Sequence, residues 1–320
     1  MTDQRHSGAN SPNQSLIDLT GEYAGSDKDN LDFFSDALER LSDQGVGHKG
    51  KMVIGLVGER DLIGVTLRQA QAVVRFDRRP SKWSHAFLIA AETSGDKTEL
   101  AKTKVLEVTM NPRGGTLPDP NSNGLTIGKL GNYVSPLVTA NVALIAVKMT
   151  KREAEAVFDK ATHPNRDRAR YNLWESLCVW QGYYWAQGRR PNPLEEGFPI
   201  FASSYVEYAF EGIDLDVTPS ASERNSAPDH LYNAAKYWNE NMTDLNHPMF
   251  GYLLMRDPGC AVLYQDEVKD AADVVARVVD GDPAAAGAAA GAVAGAVAGA
   301  VAGAEAAADA IEAHESKEEE

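Results

Sequence analysis

A histidine inside an otherwise apolar run, His85 in WSHAFLI, is placed to act as a general base near neutral pH. Glu107, in VLEVT on the next strand-like run, is a carboxylate that can hold one ring nitrogen and stabilise an imidazolium. A third segment, FASSYVEYAF, reads as the start of a helix, where unpaired N–H groups and the helix dipole favour an anion or a thiolate. Base, orienting acid and helix N-terminus are the parts of covalent acyl transfer, which needs a nucleophile within hydrogen-bond reach of its base. Backbone N–H groups around residues 202–203 would then form part of an oxyanion hole. Taken singly, each part has a plainer reading. His85 reads as a hydrogen-bonded core residue, Glu107 as a solvent-facing strand residue, and the helix as an ordinary amphipathic one. The ordered conjunction is what points to chemistry.

The segments PSKWSHAFLIA, KVLEVTMNPRGG and FPIFASSYVEYAFEGIDLDVTP, in that order, resemble the circularly permuted branch of the papain-like, NlpC-type cysteine hydrolases. That branch includes YiiX-like enzymes and, more distantly, lecithin:retinol acyltransferase-like ones, and the likeness spans about residues 53–238. The resemblance implies His85 as base, Glu107 as orienter, and a nucleophilic cysteine at position 202, with Ser203 and Tyr171 at the substrate groove or oxyanion hole. Position 202, however, is Ala202, whose methyl group cannot attack a carbonyl. Ser203 and Ser204 do not replace it, because one step along a helix turns a side chain by about 100°. Cys178, between Leu177 and Val179, and Cys260 both read as packing cysteines. Two accounts of Ala202 stay open: a substitution introduced to disarm an enzyme, or a natural loss that leaves a binding module.

The elements that must position these residues follow from periodicity. KMVIGLV, the DLIGV segment, AFLIAA, KVLEVTM and NVALIAVKM read as strands, and TLRQAQAVVRF as a helix with Thr66 as its cap. Thr150 and Glu153 form a capping-box pair ahead of the helix REAEAVFDKAT. YNLWESLCVWQGYYWA reads as a helix. SSYVEYAFEG reads as another, ending at Gly212, and a further one begins at Pro228. NPRGGTLPDPNSNG is a turn-rich connection. The expected fold is α+β: a papain-like antiparallel sheet packed with helices, plus flexible N-terminal and Ala/Gly-rich C-terminal tails.

Residues 1–50 form a polar tail, unstructured to about residue 25, and then an amphipathic helix with Leu31, Phe34, Leu38 and Leu41 on one stripe. That helix is expected to dock on its own body. The body runs over 51–257, an amphipathic helix over 258–281, and a segment over 282–320 with glycine at 287, 291, 295, 299 and 303 and an acidic end. Glycine at every fourth position lets helix backbones approach, and 283–304 is long enough to cross a bilayer. Glycine is also a poor helix former, so a flexible spacer is an equal reading.

Hydrophobic residues make up 43% of the 320 and charged residues 24%, as in a globular domain with a core. The net charge of −15 sits at the ends, with nine acids against four bases in 1–50 and eight against one in 282–320. A body near −3 offers no basic face for nucleic acid. Two cysteines build neither a disulfide framework nor a zinc site, and no phosphate loop or metal motif is present. No metal or cofactor is expected. The expected partner is a peptide, lipid or acyl substrate, with a membrane or helix partner through 283–304 left open. Without an apolar leader the default address is cytoplasmic, with signal-independent secretion or membrane association left open.

The reading these features support is a thiol hydrolase, an amidase or peptidase or a lipid- or thioester-directed hydrolase or acyltransferase. It would work through an acyl-enzyme and be inert as written. The alternatives are a dead binding or scaffold module and a membrane-active effector using the glycine-repeat tail.

Overall fold

The computed structural model describes residues 16–43, 52–93 (except 74 and 76), 96–108, 125–166, 202–219, 226–241 and 247–261. It is α+β, with a seven-stranded mixed sheet in the order β1-β7-β6-β2-β3-β4-β5. The strands are β1 Leu16–Asp18, β2 Ile54–Glu59, β3 His85–Ile89, β4 Lys104–Val108, β5 Leu125–Lys129, β6 Thr139–Val147 and β7 Met249–Met255. The helices are α1 Thr20–Tyr23, α2 Asn30–Asp43, α3 Leu62–Ala70, α4 Lys97–Ala101, α5 Lys151–Arg166, α6 Ala202–Phe210 and α7 Pro228–Asn241. The segment around Tyr171 and Cys178 expected to be an aromatic helix, the PRGGT connection, residues 1–15, and the expected amphipathic helix and glycine repeat after residue 261 lie outside the described residues. Among the described residues no helix is long and apolar enough to cross a membrane.

The sheet is covered on both faces, and strand alternation assigns each residue to one of them. Ile54, Leu56, Ala86, Leu88, Leu106, Ala143 and Ile145 face one layer, where they meet Ala154, Val157 and Ala161 of α5, Tyr205, Val206 and Ala209 of α6, and Leu231 and Ala235 of α7. Val53, Val57, Phe87, Ile89, Val105, Val142 and Leu144 face the other, against Phe33, Phe34, Ala37, Leu38 and Leu41 of α2. The amphipathic N-terminal helix thus docks on the body, as its stripe predicts. Phe33 is buried as well, which widens that stripe.

Four expectations are corrected. The sheet is not wholly antiparallel: β1 pairs in parallel with β7, placing Leu16 opposite Gly251. β1 also gives residues 16–18 fixed structure where the polar composition suggested none. The DLIGV segment is helical, because Asp61 caps α3 by accepting the Gly64 N–H at 2.6 Å, and Thr66 lies inside the helix. Other local signals hold. The Thr150–Glu153 capping box forms: the Thr150 N–H donates to Glu153 at 2.6 Å, and the Glu153 N–H to Thr150 Oγ1 at 3.3 Å. Pro228 is the first residue of α7.

Candidate functional site

His85 opens β3, and the segment before it is tied down carbonyl by carbonyl. The buried guanidinium of Arg68 donates from Nε to Ser81 O at 2.9 Å, Asn141 Nδ2 donates to Lys82 O at 3.0 Å, and Gln71 Nε2 donates to Trp83 O at 2.8 Å. The Ser84 N–H donates to Val57 O at 2.7 Å, and Ser84 Oγ accepts the Glu59 N–H at 3.0 Å. Arg68 is itself held by Asp257, through Nη1 to Oδ2 at 2.9 Å and Nη2 to the carbonyl at 2.8 Å. Every residue from 81 to 84 therefore has its backbone or side chain held, so the PSKWSH stretch delivers the imidazole in one place.

Glu107 reaches that imidazole from β4. β3 and β4 pair with Leu88 opposite Leu106, so His85 and Glu107 are diagonal neighbours on one face. His85 Nε2 lies 3.0 Å from Glu107 Oε2, and both residues are buried. An ionised carboxylate can only accept, so the tautomer that suits this contact has the ring proton on Nε2 and leaves the Nδ1 lone pair available. Among the described residues Nδ1 makes no hydrogen bond. The same Oε2 accepts a short hydrogen bond from the Tyr133 hydroxyl, in the 3-10 turn Leu130–Tyr133 that follows β5. Oε1 lies against the Cα of Gly128 on β5, where any Cβ would overlap it. The Phe87 ring crosses β2 at Gly55, another position a Cβ would fill, and stacks on Tyr133 with centroids 4.8 Å apart and planes 9° apart. The His85 ring lies more loosely against the same tyrosine, at 6.2 Å and 29°.

Ala202 is the first residue of α6. The Ser203 hydroxyl donates to the Ser226 carbonyl, and its side chain is buried. Ser226 precedes α7, where Asp229 accepts from Ser81 Oγ at 2.9 Å and Arg75 Nη1 at 2.6 Å, and its N–H donates to Gln71 Oε1 at 3.1 Å. Asp229 is thus an anchor between α7 and the segment leading to His85, and more than a charge on the helix dipole. Through these ties α6 and α7 both begin at the end of the sheet where β3 begins. Two buried hydroxyls near that first turn, Ser204 Oγ and Ser226 Oγ, have no hydrogen-bond partner among the described residues.

His85 and Glu107 are brought together, but α6 is not on their side of the sheet. By alternation the pair shares the face of Phe87, Val105 and α2, while α6 packs with Ala86, Leu88 and Leu106 on the opposite face. Position 202 and His85 therefore share an end of the sheet and differ in face. Tyr171 lies outside the described residues. Cys260 is a buried free thiol at positive φ, and burial pushes its pKa up, as suits a packing residue. Among the described residues no three His, Cys, Asp or Glu side chains converge as metal ligands.

Sequence reasoning does not single out Tyr133 and Gly128. Their signal is slight: a glycine interrupting the alternation of LTIGK, and a lone tyrosine after it. No family model, curated protein or solved structure matches the chain.

Proposed function

We propose that the chain carries the scaffold of a papain-like thiol hydrolase whose nucleophile position is Ala202, and that the molecule as written is inert. The observation that carries the reading is the buried His85–Glu107 pair, joined at 3.0 Å through Nε2. In the parent reaction a cysteine thiol at position 202 would pass its proton to Nδ1, and the thiolate would add to an amide, ester or thioester carbonyl. The imidazolium would then return the proton to the leaving group, and water would release the acyl group. The common end of the sheet shared by α6 and His85, and the two unpartnered hydroxyls beside the first turn of α6, support placing the nucleophile there. A peptide, lipid or other acyl compound is the substrate class.

A second reading, a non-catalytic binding or scaffold module, is favoured by the opposite faces occupied by α6 and the His85–Glu107 pair. In it the pair is a polar clamp under α2. Labelling with an acyl-type thiol probe separates the two: Ala202→Cys reacts faster than Ala202→Cys/His85→Ala under the hydrolase reading. Equal rates in the two proteins would leave the scaffold.

A further inference from the structure

We propose that the N-terminal segment is a working part of the His85 site: Asn30 at the start of α2 holds the turn carrying Tyr133, and Tyr133 positions the Glu107 carboxylate on His85. Its functional meaning rests on the hydrolase reading, but its geometry does not. Asn30 is fully buried, and its side-chain amide donates to two carbonyls, Tyr133 O at 2.9 Å and Thr139 O at 2.7 Å. Its backbone N–H donates to Val134 O at 3.2 Å, and its Oδ1 accepts from Arg256 Nη1. Arg256 follows β7 and also donates through Nη2 to Lys28 O at 3.0 Å, so the turn before β6 and the residue after β7 both grip the start of α2. A fully buried amide that satisfies both hydrogens and its oxygen in this way specifies one arrangement of the chain around it.

That arrangement ends at His85. The turn held by Asn30 presents the Tyr133 hydroxyl to Oε2 of Glu107, the oxygen that also meets His85 Nε2. The Tyr133 ring is fixed in turn by its stack on Phe87. Tyr133 is therefore a positioning residue, acting on the base through the carboxylate, and α2 is the element that sets it. The arrangement predicts that the orientation of Glu107, and with it the tautomer of His85, depends on residues far away in sequence at the N-terminus.

The test reads the ring nitrogens of His85 by long-range proton–nitrogen correlation in the full chain, with signals assigned against His85→Gln. The chain as written should show the Nε2–H tautomer. Tyr133→Phe and Asn30→Ala should each lower that population while the fold, checked by circular dichroism, persists. Tyr205→Phe is the control: it removes a buried hydroxyl that donates to Ala161 O at 2.9 Å on the opposite face, a structural loss only. An unchanged His85 pattern in Tyr133→Phe, or an equal change in Tyr205→Phe, overturns the proposal. A change in Tyr133→Phe but none in a folded Asn30→Ala overturns the part assigned to α2; if Asn30→Ala does not fold, Asn30→Ser takes its place. In an Ala202→Cys background, Tyr133→Phe should also slow probe labelling about tenfold or more. The tautomer readout needs no nucleophile, so failure of the hydrolase reading and failure of this proposal give different results.

Discussion

Replacing Gly128 with alanine should destabilise the protein, although in an ordinary strand the same change does the reverse. Gly128 sits inside β5 with no left-handed backbone, so alanine adopts its conformation freely. Without an obstacle the substitution would stabilise by about 0.5–1 kcal/mol, since glycine loses the most freedom on folding. Here the new methyl would overlap Glu107 Oε1, and it would stand 3.0 Å from Cδ and 3.1 Å from Val105 Cγ2. The carboxylate must shift, loosening its bonds to His85 Nε2 and Tyr133 Oη, each worth roughly 1.5–3 kcal/mol as a bond to a charged group. Overpacking in a closed layer costs about 1–3 kcal/mol more, part of it relieved by that shift. The net expectation is a loss of about 1–4 kcal/mol, read as a lower urea midpoint with unchanged slope. The His85 ring-nitrogen signals should move with it. A Gly128→Ala protein as stable as the parent or more so, with His85 unmoved, would refute the claim that this glycine exists to seat the carboxylate.

Three further outcomes follow from the same structure. Arg68→Met leaves Asp257 short of its buried partner and three carbonyls short of a donor, so a loss of about 3–5 kcal/mol is expected in denaturant titration. Thr150→Ala removes one half of the capping box on α5 and should lower stability by about 1 kcal/mol, with Glu153→Ala costing a similar amount and the double variant less than their sum. On acidification, several carboxyls held below their ordinary range matter, Asp77 and Asp257 among them. The Arg75 guanidinium bonded to Asp77 holds that group at about 2. At Asp257, burial pushes upward, but the Ala261 N–H and Arg68 outweigh it and the group lies below the ordinary 3.8. Both folded values lie below the unfolded ones, so the unfolded chain binds more protons as the pH falls. Their stabilisation is complete above about pH 4 and is lost as pH drops towards 2, and Asp77→Asn should flatten that limb of the stability curve.

Much of the frame was legible because its signals are local. The α2 stripe, the Thr150–Glu153 box, Pro228 at a helix start, and the apolar runs of β2, β3, β4 and β6 all state their structure within a few residues. The misses have separate physical causes. β5 and β7 each carry an interior glycine, Gly128 and Gly251, which reads as an interruption. Gly128 seats a carboxylate, and at Gly251 a Cβ would meet Leu144 O and Leu16 Cδ2, both at 2.5 Å. The DLIGV segment reads as a strand until Asp61 is recognised as a cap. At the site, the resemblance implied Glu107 as the partner of His85, and the two do meet; the register that makes them diagonal neighbours came only with the sheet. The roles of Tyr133 and Asn30 were not legible, because each acts through contacts that only the tertiary fold creates. Nor was the face on which α6 packs, which follows from how the sheet is layered.

The central claim is that position 202 belongs with His85, and the ultraviolet absorbance of thiolate measures it most directly. The reading is the difference between Ala202→Cys and the chain as written, which cancels Cys178 and Cys260. Paired with His85, the new thiol should be ionised near pH 7, well below the ordinary thiol pKa of about 8.5, and Ala202→Cys/His85→Ala should lose that signal. A thiol that ionises only in its ordinary range, with or without His85, would contradict the account.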